Sequence, residues 1–186
     1  MSILVTGGAR SGKSSFAEKL CMSRASSAVY IATAQAFDDE MGERIAQHRL
    51  QREQAQYNWQ TIEEPLEIAS QLNRLGENED EAPAVLVDCL TLWLSNVILL
   101  YEQLPNLDSK VKTRIEQLTC SIASYPGQLI LVTNEVGDGI VPEYPLGRIY
   151  RDFAGWMNQE AARVSSEVYL VTAGIPIELK SREYKL

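Results

Sequence analysis

Residues Gly7-Gly8-Ala9-Arg10-Ser11-Gly12-Lys13-Ser14 fit the spacing G-x-x-x-x-G-K-S, a glycine-rich turn whose backbone N–H groups point at phosphate oxygens. In that pattern Lys13 reaches the β and γ phosphates of a nucleoside triphosphate, and the Ser14 hydroxyl ligates Mg2+. Such a turn works with a carboxylate at the end of a neighbouring apolar strand, and Val85-Leu86-Val87-Asp88 supplies one. Asp88 has a second possible role, as the cap of a helix beginning at Leu90. The chain has a single histidine, His48. Arg44, His48 and Arg52 follow one another at intervals of four and so share one face of a helix, spanning about 12 Å. Flanking guanidinium charges disfavour imidazolium, which leaves a neutral ring able to attack phosphorus and form a phosphoramidate. Spacing alone leaves open a plain surface histidine between arginines.

These residues need a scaffold. Short apolar runs alternate with stretches of helical period, the pattern of an α/β protein: a mostly parallel sheet with helices on both faces. Strands are expected near Ser2 to Thr6, Ala28 to Thr33, Ala84 to Val87, Gln128 to Thr133 and Glu167 to Thr172, with edge strands near Asn58 to Ile62 and Ile175 to Lys180. Helices are expected over Lys13 to Arg24, Met41 to Gln54, Pro65 to Leu75, Leu90 to Leu104, Ser109 to Tyr125 and Leu146 to Val164. The phosphate turn therefore falls between the first strand and the first helix, where the positive end of the helix also faces the anion. Asp38, Asp39 and Glu40 precede the histidine-bearing helix; they favour its N-terminal dipole or help to place Mg2+. The Gly-rich run from Thr133 to Pro142 leaves the carboxyl end of the fourth of the five strands, which aims it at the same crevice, although ordinary turn punctuation is the alternative.

Composition narrows the class. The 186 residues are 45% hydrophobic and 23% charged, enough apolar content for one compact domain over 1–186. Of the net charge of −8, residues 61–88 carry −7, from eight acids against Arg74. No nucleic-acid partner is expected of so acidic a chain, though a local basic pocket for a small anion remains compatible with it. Cys21, Cys89 and Cys120 are too few and too far apart for a disulfide framework or a zinc site, which fits a reducing cytoplasm. The chain opens on an apolar strand pattern without a basic leader, and its longest apolar stretch, Leu90 to Tyr101, is too short for membrane insertion.

With these residues in place the whole chain resembles the bifunctional adenosylcobinamide kinase / adenosylcobinamide-phosphate guanylyltransferases of cobalamin assembly. The resemblance rests on Ile3 to Ser14, Tyr30-Ile31-Ala32-Thr33-Ala34-Gln35, Asp38 to Arg52, Asp88-Cys89-Leu90-Thr91, Thr133 to Gly137, Gly139 to Pro142, Arg151 to Gly155 and Asn158-Gln159. It implies a RecA-like P-loop fold and two reactions. ATP or GTP phosphorylates the hydroxyl on the aminopropanol arm of the corrinoid; GTP then guanylylates that phosphate through a GMP-histidine, for which His48 is the candidate. It further implies nucleotide contacts from Gly7, Gly8, Ala9, Arg10, Ser11, Gly12, Lys13 and Ser14, from Thr33, Ala34 and Gln35, from Arg49, Leu50, Gln51 and Arg52, and from Glu63 and Asp88. Mg2+ on Ser14 and Asp88 and a homotrimer follow from it too. Trp93, Tyr150 and Trp156 are candidates for an interface or for the core. The runner-up is a P-loop small-molecule kinase without guanylyltransferase activity, for which the turn and Asp88 suffice. A nucleotide-operated switch lacks its guanine signature, since Asn134-Glu135-Val136-Gly137 stands where N-K-x-D is expected.

Overall fold

The computed structural model describes residues 1–35 and 39–185; the side chains of Glu40, Met41, Arg44, Ile45, His48 and Gln51 also lie outside the described residues. Asp38, expected at the helix entry, falls among those left out.

In chain order the elements are β1 (Ser2–Thr6), α1 (Lys13–Arg24), β2 (Ser27–Ala32), α2 (Asp39–Gln54), β3 (Asn58–Glu63), α3 (Ile68–Leu75), β4 (Ala84–Asp88), α4 (Leu90–Tyr101), α5 (Leu107–Ser124), β5 (Leu129–Val132), α6 (Pro145–Val164), β6 (Glu167–Thr172) and β7 (Ile175–Glu178). The strands form a seven-stranded sheet in the order β3-β2-β4-β5-β1-β6-β7. Pairing is parallel except between β6 and β7, which a short turn joins as an antiparallel hairpin.

Alternation along the strands splits the core into two layers. Leu4, Val29, Ile31, Val85, Val87, Leu129 and Leu131 face α3, α4, α5 and α6, where Trp93, Leu94, Ile115 and Met157 meet them. Ile3, Val5, Leu86, Ile130 and Val132 face the other way, toward Ala17 and Cys21 of α1. This is the α/β arrangement expected, helices on both faces, and the strand β1 that leads into the glycine turn is separated from the Asp88 strand β4 by one strand. Trp93 is core, its indole N–H donating to Leu66 O at 2.8 Å; Tyr150 and Trp156 pack partly buried against the same layer.

Most expected elements hold to within a residue or two. Helix α3 starts at Ile68 rather than Pro65, because the Glu64 carboxylate accepts the N–H groups of Leu66 and Glu67 at 3.0 and 2.8 Å and holds a turn there. Helix α4 stops at Tyr101, three residues short of Leu104.

Register brings the strand ends together. Glu63 pairs with Ala32, Ala32 with Asp88, Asp88 with Val132 and Val132 with Val5, so five strands end abreast on the side where the connecting loops rise. At about 4.8 Å per strand, Asp88 stands roughly 10 Å from both β3 and β1, between the acid at one edge and the glycine turn at the other.

Candidate active site

The turn after β1 requires glycine at two positions for different reasons. A Cβ on Gly7 would lie 2.4 Å from Val171 O and 2.7 Å from Ser11 Oγ, so nothing larger fits. Gly12 sits at φ 93° as the residue before α1, in the left-handed region that side chains disfavour. Between them the turn buries a hydroxyl, Ser11 Oγ, that has no hydrogen-bond partner among the described residues. Lys13 opens α1, is only 8% exposed, and donates from Nζ to Gly8 O at 3.1 Å, which folds the ammonium over the turn.

Beside the turn, beyond the strand ends, lies a cavity of about 1110 Å³, at the upper end of small-molecule sites. Of the residues expected to touch nucleotide, Lys13, Ser14, Ala34, Gln35, Arg49, Leu50, Arg52, Glu63 and Asp88 line it. Gly7 to Gly12 form the turn from which Lys13 and Ser14 enter it. Asn134, from the loop after β5, lines it as expected, held by a 2.6 Å hydrogen bond from its Nδ2 to Thr91 Oγ1. His48 and Gln51 lie on α2 by their backbone, and their side chains are outside the described residues.

Two expectations acquire a definite local structure. Asp88 does not cap α4: the capping position is Cys89 and no side-chain cap bond forms there. The Asp88 carboxylate accepts the Tyr30 hydroxyl at Oδ2, 3.1 Å away, and borders the cavity. Thr33 is fully buried, and its hydroxyl donates to Cys89 O and accepts from Cys89 N–H, both at 2.8 Å. That side chain ties the end of β2 to the residue after Asp88.

Three groups in this region are not among the expected site residues. Tyr30 lies under the Arg52 guanidinium, 3.8 Å from the ring centroid, and burial raises its phenol well above the ordinary value. Glu18 projects from α1 toward the same place; burial raises its carboxyl, Arg52 opposes that rise and Asp88 adds to it. Cys89 is buried, and burial pushes its thiol up to about 11. Glu18 carries no such signal in the sequence, where it reads as a helix-surface glutamate, and Tyr30 reads there only as an apolar strand residue. At the cavity edge Arg49 pairs directly with Glu63, so two expected nucleotide contacts meet each other.

Oxygen donors from Ser14 and Asp88 at one cavity suit Mg2+, a hard cation that takes few protein ligands when it rides on substrate phosphates. The Tyr30 hydroxyl on Oδ2 orients the carboxylate for such a role. Among the described residues no cluster of three or more His, Cys, Asp or Glu forms a metal cage, and no helix is long and apolar enough to cross a membrane.

Comparison with known proteins finds a matching family over almost the full chain. Residues 3–179 match the family CobU, cobinamide kinase / cobinamide phosphate guanyltransferase. The bifunctional adenosylcobalamin biosynthesis protein CobP of Pseudomonas aeruginosa is 46% identical over 180 residues, covering 97% of this chain and 98% of that protein. The bifunctional adenosylcobalamin biosynthesis proteins CobU of Escherichia coli and Salmonella typhimurium are 40% and 39% identical, each aligned over 97% of this chain and all of its own length. A phosphate turn, a carboxylate two strands away and an arginine-bearing helix around one cavity thus come with a matching family, and the chain belongs to the cobinamide kinase / cobinamide phosphate guanyltransferase family.

Proposed function

We propose that one cavity serves both reactions of this kinase and guanyltransferase, with the nucleotide phosphates on the turn Gly7–Ser14 and His48 as nucleophile of the second reaction. The observation that carries this reading is that Lys13, Ser14 and Asp88 line the same cavity as Arg49 and Arg52 of α2, the helix whose backbone carries His48 one turn before Arg52.

In the kinase reaction the hydroxyl of the corrinoid side chain attacks the γ phosphorus of ATP or GTP, forming a P–O bond as the bond to the β phosphate breaks. Backbone N–H groups of the turn and the Lys13 ammonium take up the charge that grows on the phosphate oxygens. In the guanylyl reaction an imidazole nitrogen of His48 attacks the α phosphorus of GTP, and pyrophosphate leaves with the electron pair of the broken P–O bond. The phosphate of cobinamide phosphate then displaces the histidine, giving the GDP-linked corrinoid and a free imidazole. Arg49 and Arg52 flank the phosphates as fixed cations. Mg2+, held by Ser14 and Asp88, supplies charge neutralisation at the phosphates when bound.

The buried Ser11 hydroxyl supports an anion at the turn, since a buried donor without a partner is costly. The whole chain acts as one unit in this reading, in the cytoplasm, as a homotrimer. Lys13→Ala tests the shared cavity. Both reactions fall by about 10²–10³ in kcat, the loss typical of one transition-state donor. Phosphorylation at the wild-type rate in that variant would separate the two sites and refute the proposal.

A further inference from the structure

Helix α2 is an unusual support for a nucleophile. Among its described side chains Asp39, Glu43, Ala46, Gln47, Arg49, Leu50, Glu53 and Gln54 are exposed, Gly42 is half-buried, and only Arg52, 6% exposed, is buried. Among the described residues, then, the anchor of the helix is a charged one. A buried guanidinium is costly unless it is partnered. Its partner is the Tyr30 ring, with the centroid 3.8 Å from the guanidinium carbon, and its charge also reaches the Glu18 carboxyl, whose burial-driven rise it opposes.

The platform under Arg52 is rigid. Tyr30 is 4% exposed, lies on β2 between β3 and β4, and has Trp59 edge-on at 5.8 Å between centroids. The hydroxyl of the same side chain donates to Asp88 Oδ2 at 3.1 Å. One residue therefore touches both halves of the site: the helix that carries His48 and the carboxylate at the end of β4.

We propose that Tyr30 is the positioning residue that seats helix α2 through Arg52 with its ring and aims Asp88 with its hydroxyl, fixing the distance between the nucleophile's helix and the phosphate site. The two functions reside in different atoms of the side chain, so they separate by substitution. The inference rests on His48 as nucleophile only for its catalytic consequence; the seating of α2 stands apart from it.

The test compares Tyr30→Phe, which keeps the ring and drops the hydroxyl, with Tyr30→Leu, which drops both. Two readouts are taken: hydrogen exchange of α2 amides without nucleotide, and the ratio of single-turnover guanylylation to phosphorylation. Tyr30→Leu speeds exchange in α2 and lowers the ratio, each by about tenfold, the factor that corresponds to about 1.4 kcal/mol and lies within the range of a desolvated cation–π contact. Exchange in β1 and α1 stays as in the wild type. Tyr30→Phe keeps α2 protected and the ratio unchanged, while both reactions slow in parallel because Asp88 has lost its donor. Arg52→Gln removes the same seat from the helix side and gives the faster α2 exchange even if Tyr30→Leu does not fold. A folded Tyr30→Leu or Arg52→Gln protein with wild-type exchange in α2 overturns the proposal, as does a Tyr30→Phe protein whose α2 exchanges as fast as that of Tyr30→Leu. A wild-type protein that takes no label from GTP refutes the role of His48 instead, and the exchange measurement then decides the seat by itself.

Discussion

Thr33→Val separates two roles that one residue cannot hold together. The resemblance to relatives places Thr33 against the nucleotide, whereas the structure buries it completely and spends its hydroxyl on the Cys89 backbone. Valine keeps the shape and removes the hydroxyl. The Cys89 carbonyl retains the Trp93 N–H at 3.2 Å, but the Cys89 N–H loses the partner described for it. A buried donor left unsatisfied costs about 1–3 kcal/mol. For a chain of this size each kcal/mol lowers the melting temperature by about 2–4 °C, so the midpoint falls by about 2–12 °C. Asp88 immediately precedes Cys89, so its carboxylate shifts too, and phosphorylation and guanylylation drop by one common factor. Thr33→Ser keeps the bridge and both activities. Calorimetry with steady-state kinetics on the three proteins checks this. A Thr33→Val protein that melts with the wild type but shows a raised KM for nucleotide refutes the buried-bridge account and puts the hydroxyl on the ligand.

The cysteines give a second outcome: burial pushes the Cys21 and Cys89 thiols up to about 11, whereas Cys120 is exposed, so iodoacetamide on the native protein at neutral pH gives one adduct, at Cys120, and denaturation gives three. Mass spectrometry reads both states. A third concerns acid stability. Hydrogen bonds from the Ser181 hydroxyl and N–H hold the Glu178 carboxyl down to about 2 from an ordinary 4.5. A depressed folded-state value means that the stabilisation is complete above the ordinary value and is lost as pH falls toward about 2. The urea midpoint of the wild type therefore exceeds that of Glu178→Gln at pH 7, and the gap closes by pH 2; a gap independent of pH contradicts the assignment.

The frame of the fold was legible because its elements are strongly periodic: β1, α1 and β6 lie where alternation and helical spacing put them. Strand order was not, since any of several right-handed crossovers suits the same pattern, and neither was the antiparallel direction of β7, which a tight turn at Ala173 and Gly174 decides. The phosphate turn and Asp88 could be read from local spacing plus the end of an apolar strand. Tyr30, Glu18 and the Thr33 bridge could not, because each acquires its role from a residue far along the chain: Asp88 for Tyr30, Arg52 for Glu18 and Cys89 for Thr33. The half-buried acid of α1 looks like a helix-surface glutamate until β2, β4 and α2 are set beside it.

The most direct measurement is covalent. Wild-type protein incubated with Mg2+ and GTP labelled in the α phosphate, then denatured, carries a label that is lost in acid and survives alkali, as a phosphoramidate does; His48→Asn carries none and still phosphorylates cobinamide. Full labelling of His48→Asn contradicts the assignment of the nucleophile, and with it the account of how one cavity serves both reactions.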